Sequence, residues 1–176
     1  SNDDYSSIIN EKHFNRLQTY LEAAKDKGAR IIEINPAKEI SEKRNHYKMM
    51  PTIVLGASDE MLIMQEEIFG PILPIKPYRK IDEAINYINN NDRPLGMYYF
   101  GNDNLEESTV IDKTVSGGVC LNDVIFHYAQ EDLPFGGIGP SGMGRYHGIE
   151  GFKTFSNPRG IYKQTPFNAI LKLMRP

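Results

Sequence analysis

The sequence predicts an α/β fold with a parallel sheet, and three observations predict it. From Pro71 onward, short β-branched or apolar runs alternate with helical runs, an order that lays covering helices over parallel strands. Ahead of that run, a capped helix leads directly into a short strand, an α-to-β step. The 176 residues, 40% hydrophobic and 24% charged, are ordinary for one globular domain with one core.

Asn10 caps the first helix, whose apolar residues Phe14, Leu17, Leu21 and Ala24 share a face. Glu11 lies in its first turn, Lys25 and Lys27 in its last, and Gly28 stops it. Residues 29–34 are β-branched and run into Asn35-Pro36, which marks a strand. Polar residues 37–48 make a surface excursion, after which a strand over 52–55 follows Pro51 and ends at Gly56. Next come strand 72–75, helix 82–89 with Ala84, Ile85 and Ile88 inward, a turn over 90–94 and strand 97–100. Helix 104–114 and strand 118–121 complete the run; 154–165 reads as a strand after a helix, and 167–174 as a short amphipathic tail. There are no internal repeats and no linker rich enough in Pro, Gly or Ser to divide the chain.

Composition excludes several partners. Net charge is -3, and the basic residues are scattered, so counterion release offers little and nucleic acid is not an expected partner. No stretch approaches the roughly 20 apolar residues needed to span a bilayer, so no membrane partner is expected. Cys120 is the single cysteine, which fits a reducing compartment, with the cytoplasm as the default. Ser1-Asn2 reads as a cleavage scar that leaves any natural start and its targeting signal outside the sequence.

Gly137, Gly139 and Gly142 match the spacing of the dinucleotide fingerprint, but Leu133-Pro134-Phe135 is a poor strand and Pro140 sits inside the loop. A tight loop that lets backbone pass close to another element is the better reading. Cys120 lies in the apolar run Gly118-Val119-Cys120-Leu121, where a cysteine behaves as a small buried hydrophobe. His13, His46, His127 and His147 lack the spacing of a metal site. Glu66-Glu67 is the most distinctive polar pair, and in an extended segment two adjacent carboxylates point to opposite sides instead of sharing one substrate.

Several strings carry a resemblance. They are Ile8-Ile9-Asn10-Glu11-Lys12-His13-Phe14; Met64-Gln65-Glu66-Glu67-Ile68-Phe69-Gly70-Pro71-Ile72-Leu73-Pro74; and Ser116-Gly117-Gly118-Val119 running into Asn122-Asp123. Leu133-Pro134-Phe135-Gly136-Gly137, Ser141-Gly142-Met143-Gly144 and Tyr146-His147-Gly148 follow in the same order. Together they resemble the aldehyde dehydrogenase family, in particular its class for fatty and aromatic aldehydes, coniferyl aldehyde dehydrogenases among them. The resemblance implies the parallel-sheet catalytic domain of that fold, partial over 1–153, with an oligomerisation strand and tail over 154–176. It implies NAD or NADP as cofactor, an aldehyde as substrate and a homodimer.

By the same resemblance, Glu67 matches the glutamate that accepts hydrogen bonds from the nicotinamide-ribose hydroxyls, and Phe69 the aromatic beside the nicotinamide. Phe135 matches a residue lining the aldehyde tunnel, and 124–128, with Val124 and His127, the variable loop at its mouth. The family's catalytic cysteine, general-base glutamate, oxyanion-hole asparagine and Rossmann-type domain lie N-terminal to the matched region, and Cys120 does not align with the nucleophile. The chain is therefore expected to contain no catalytic residue and to be inactive alone, contributing a cofactor clamp and part of the tunnel. The family scheme is thiolate attack, hydride transfer to the nicotinamide and release of the acid by activated water. The alternative is a non-catalytic binding or oligomerisation module with the same fold.

Overall fold

The computed structural model describes residues 4–38 and 47–164. The tail expected at 167–174, and most of the excursion expected at 37–48, lie outside the described residues. The chain divides into two compact units, Ser1–Pro77 and Tyr78–Pro176, at a point no linker marks in the sequence.

In the first unit, helix α1 (Glu11–Asp26) starts where Asn10 accepts a hydrogen bond from the His13 N–H, satisfying one of the four orphan donors of a helix start. Gly28, at φ 91°, ends it in the left-handed region that a residue with a Cβ enters at a cost. Strands β1 (Arg30–Glu33), β2 (Thr52–Leu55) and β3 (Ile72–Ile75) form a sheet in the order β1-β2-β3, with the one-turn helix α2 (Leu62–Gln65) between β2 and β3. β2 and β3 are parallel, in the register Thr52↔Ile72, whereas β1 and β2 are antiparallel, Arg30 facing Leu55. The sequence led us to expect parallel strands; β1 departs from that, its backbone pairing with β2 in the antiparallel pattern. Pro74 is accommodated because β3 is the last strand of this sheet, where an absent N–H breaks no ladder.

The core of this unit gathers Leu17, Tyr20, Leu21 and Ala24 from α1 with Val54, Ile63 and Ile72 from the elements that follow. Thr52 is buried too, and its hydroxyl is satisfied by donating to the Met50 carbonyl at 2.8 Å.

In the second unit, β4 (Gly96–Tyr99) and β5 (Gly118–Leu121) pair in parallel through helix α4 (Asn104–Lys113), and α3 (Ile81–Asn90) precedes them. Asp103 caps α4, its carboxylate accepting from the Leu105 and Glu106 N–H groups at 2.8 and 3.1 Å. Ile85, Met97, Tyr99 and Val110 make the core, with Ile88 packed against it. The Tyr99 hydroxyl donates to Glu106 at 2.9 Å, and burial followed by that hydrogen bond pushes its pKa up to about 12. Cys120 is buried in β5.

The segment expected as the variable loop at 124–128 overlaps the one-turn helix α5 (Phe126–Ala129), and a 3-10 turn follows at Gly139–Ser141. Helix α6 (Gly148–Thr154) claims Thr154, whose hydroxyl donates to Glu150 and Arg145 carbonyls at 2.9 and 2.7 Å. Residues 156–164 are exposed and belong to neither helix nor strand, so the strand expected from 154 is not formed within this chain. An extended segment becomes a strand only when a second backbone supplies its hydrogen bonds. Among the described residues, no helix is long and apolar enough to cross a membrane.

Leu17 is fully buried, so Leu17→Ala leaves a cavity that α1 fills only in part. Chemical denaturation of the variant chain should show a loss of about 2–5 kcal/mol. A loss well under 1 kcal/mol would mean that α1 is not held by this face.

Candidate functional site

The strip from Glu66 to Pro71 leaves α2 in extended backbone, Glu66 having φ -118° and ψ 149°. Extended backbone turns successive side chains to alternate sides. Glu66 is drawn onto α1: its carboxylate accepts from the Tyr20 hydroxyl and lies 3.9 Å from the Arg16 guanidinium. Glu67 is exposed, and its carboxylate has no hydrogen bond or ion pair among the described residues. The two acids thus differ in their contacts.

Arg16 reaches the same strip by its other donors. Its Nη1 donates to the Glu67 carbonyl at 3.1 Å and its Nη2 to the Ile68 carbonyl at 2.7 Å. The guanidinium sits over the Tyr20 ring, 5.1 Å from its centroid, and Nη1 lies 3.3 Å from the Tyr20 hydroxyl.

Phe69 has φ 48° and is 76% exposed. A bulky side chain in the left-handed region carries strain of roughly 1–3 kcal/mol, which surrounding structure has to over-determine. Gly70 permits the turn because a Cβ there would run into the Leu17 side chain. Pro71 then delivers the chain to β3, its carbonyl accepting from the Thr52 N–H at 2.8 Å. Beside the strip lies a cavity of about 790 Å³ whose lining includes Tyr5, Ile8, His13, Met49, Phe69 and Pro71. The Tyr5 hydroxyl donates to the Met49 carbonyl at 2.7 Å, and burial raises its pKa.

In the second unit the residues expected at the tunnel come together as an aromatic cluster. Phe135 has the rings of His127, Tyr128 and Tyr146 around it, with centroids at 5.8, 5.1 and 5.7 Å. His127 meets Tyr98 edge-on at 5.6 Å, and Tyr146 meets His147 at 4.2 Å. Gly118 makes room for this, since a Cβ there would approach His127 Cδ2 to 2.9 Å. Burial, then a hydrogen bond with Tyr128, raises the pKa of Tyr146. The Nδ1 atoms of His127 and His147 are buried without a partner among the described residues. Val124 lies at the exposed start of the loop, anchored when its N–H donates to Asp123 at 2.8 Å. Asn122 clamps the loop to Gly101, accepting from its N–H at 2.9 Å and donating to its carbonyl at 3.0 Å.

The glycine loop behaves as a backbone crossing. A Cβ at Gly136 would strike the Gly144 carbonyl, and one at Gly137 the Ser141 backbone. Two of its amides are used internally, Ile138 N–H donating to Ser141 Oγ at 2.9 Å and Gly142 N–H to the Gly139 carbonyl at 3.2 Å. Arg145 donates to the Gly137 and Gly144 carbonyls, and Phe135 and Tyr146 exchange two backbone hydrogen bonds of 2.9 Å across the base.

The sequence reading does not single out Arg16, Tyr20, Tyr98, Tyr128, Tyr146 or His147. Arg16 and Tyr20 carry a local signal, an i,i+4 spacing on one helix face, but their targets lie about fifty residues away, with separations of 46, 51 and 52.

Comparison with known proteins places this geometry among relatives. The model of the aldehyde dehydrogenase family matches residues 1–161. The chain is 53% identical over 174 residues to the coniferyl aldehyde dehydrogenase of a Pseudomonas species, a match covering 99% of this chain and 36% of that protein. The structure of an NAD-dependent aldehyde dehydrogenase from Sinorhizobium meliloti superposes with a TM-score of 0.79 at 27% identity, covering 93% of this chain and 31% of that one. A substrate-bound state of Staphylococcus aureus AldH gives 0.77 at 38% identity, covering 93% and 34%. The chain thus spans about a third of the length of the relatives it matches.

The strain at Phe69 can be read directly. Phe69→Gly gives up little burial and admits the positive φ without strain, partly offset by the chain entropy of glycine. Denaturation should show stability unchanged or raised by about 1 kcal/mol; a loss of similar size would show that the ring packs instead of projecting.

Proposed function

The chain belongs to the aldehyde dehydrogenase family, and from that premise we propose that it supplies the cofactor clamp and part of the substrate tunnel of an NAD(P)-dependent enzyme oxidising an aldehyde to a carboxylic acid. One observation carries the reading: of two adjacent carboxylates, Glu66 is tied to α1 while Glu67 and the Phe69 ring project into solvent from a strained strip.

These two side chains fit a nicotinamide riboside. An ionised carboxylate only accepts, and a ribose diol offers two donors to it; an exposed aromatic ring suits a flat heterocycle. When bound, the cofactor supplies the hydride acceptor. Glu67 would hold the ribose and Phe69 would limit the position of the ring, both acting by orientation.

On the substrate side, Phe135 and His127 with Val124 at the loop start would line the tunnel. The tilted and edge-to-face rings around Phe135 favour an apolar aldehyde of the aromatic or fatty class. Likeness to a coniferyl aldehyde dehydrogenase supports an aromatic aldehyde such as coniferyl aldehyde. The nucleophile belongs to another part of the enzyme in this reading, because Cys120 is buried within β5. The same buried thiol supports a reducing, cytoplasmic setting.

Assembly is part of the proposal. Residues 156–163 would pair with a second copy in a homodimer, which the exposure of Ile161 and Tyr162 supports, at 81% and 80%. Light scattering of the full enzyme should show a dimer or larger, and deletion after Phe155 should give monomers or aggregates. A dimer that survives the deletion would overturn this assignment.

For the clamp, the test is Glu67→Gln in the full enzyme. Hydrogen bonds to a charged group contribute roughly 1.5–3 kcal/mol, so single-turnover dehydrogenation should fall about 10- to 150-fold. Ester hydrolysis, which needs no hydride transfer, should change by less than about threefold. If both activities fall together, Glu67 supports the fold; if neither falls, it does not touch the cofactor.

A further inference from the structure

We propose that Arg16 is a positioning residue of the cofactor clamp, acting on Glu67 and Phe69 through the backbone between them. The inference rests on the clamp reading above and extends it to a residue on a different element.

Arg16 does not use its charge chiefly on a carboxylate. The shorter contacts go to main-chain oxygens, 3.1 Å to Glu67 and 2.7 Å to Ile68, while Glu66 is 3.9 Å away. Those two carbonyls belong to the peptide planes on either side of Ile68. A planar guanidinium that holds both through different nitrogens restrains the torsions of Ile68 between them, and with them the placement of the Glu67 and Phe69 Cα atoms, which lie in those two planes. The Nε atom has no acceptor among the described residues, while Nη1 and Nη2 both reach the strip and Nη1 also meets the Tyr20 hydroxyl.

The base of the clamp is also held. The Tyr20 ring lies beneath the guanidinium, and its hydroxyl donates to Glu66, so residues 66, 67 and 68 are all tethered to α1. A left-handed Phe69 persists only where neighbouring contacts over-determine it, and these contacts end one residue before it. Docking of α1 does not itself need them, since Leu17, Leu21 and Ala24 are buried in the core. The arrangement therefore serves the shape of the strip: Arg16 keeps a carboxylate and a ring facing outward that would otherwise sample other directions.

The experiment uses the full enzyme with Arg16→Met, which keeps the aliphatic length without the donors, Arg16→Lys, and Glu67→Gln as reference. Calorimetry should give a cofactor Kd raised about tenfold in Arg16→Met, or ~1.4 kcal/mol. Arg16→Lys, whose ammonium engages as a single point and cannot span both carbonyls, should fall between Arg16→Met and the parent. In the cofactor-free enzyme, amide exchange should quicken within 66–71 and stay unchanged in α1 and β2.

An unchanged Kd in Arg16→Met beside a weakened Glu67→Gln overturns the role of Arg16 and leaves the clamp standing. An unchanged Kd in Glu67→Gln overturns the clamp, and the proposal with it. Faster exchange spreading through α1 and β2 would make Arg16 a support of the fold and likewise overturn the proposal. Should Arg16→Met fail to fold, Arg16→Lys decides by the same two measurements, and parent-like values in both overturn it.

Discussion

Leu17 is fully buried, and its side chain occupies the space that a Cβ at position 70 would need. That single fit couples α1 to the strip entering β3. It requires glycine at 70 and sets how closely Arg16 and Tyr20, one residue before and three after Leu17, approach the backbone at 66–68. The apolar contact supplies most of the attraction, since burying a leucine side chain contributes roughly 1.5–3 kcal/mol. The polar contacts above it add direction more than binding strength. Hydrophobic burial is blind to torsion angles, whereas a guanidinium holding two carbonyls is not.

The consequence is a division of labour between two adjacent acids of like chemistry. Glu66 is consumed by α1, and Glu67 is left with its full accepting capacity in solvent. Beside them, an exposed phenylalanine in a left-handed conformation is a poor choice for stability. Local rules are broken there together, by strain and by exposure, and such breaks concentrate where a structure keeps groups for a ligand.

The second unit solves a different problem. Six rings, those of Tyr98, His127, Tyr128, Phe135, Tyr146 and His147, share one region, and small residues clear space for them. Gly118 admits the His127 ring, while Gly117 lets the Gly136 and Leu95 carbonyls approach its backbone. The glycine loop and the paired backbone of Phe135 and Tyr146 hold the cluster from one side, and the Asn122 clamp on Gly101 holds the preceding loop. The glycines thus serve backbone proximity.

What the sequence determined by itself was whatever rests on neighbours a few positions apart. Asn10 and Gly28 bound α1 through hydrogen bonds and φ preferences local to each end, and the alternation after Pro71 yields β3, α3, β4, α4 and β5 within a residue of their places. The expectation that Glu66 and Glu67 face opposite sides follows from extended backbone alone. The strings shared with the aldehyde dehydrogenase family pointed to Glu67, Phe69 and Phe135, which local physics did not reach. Only tertiary structure decided that β1 runs antiparallel to β2, that the chain divides at Pro77, and that Thr154 ends a helix. It also decided that Arg16 and Tyr20 hold the strip and that five other rings gather with that of Phe135. Each of these depends on groups far apart in the chain, Arg16 and Glu67 being separated by 51 positions, and periodicity carries no information about which distant surfaces meet.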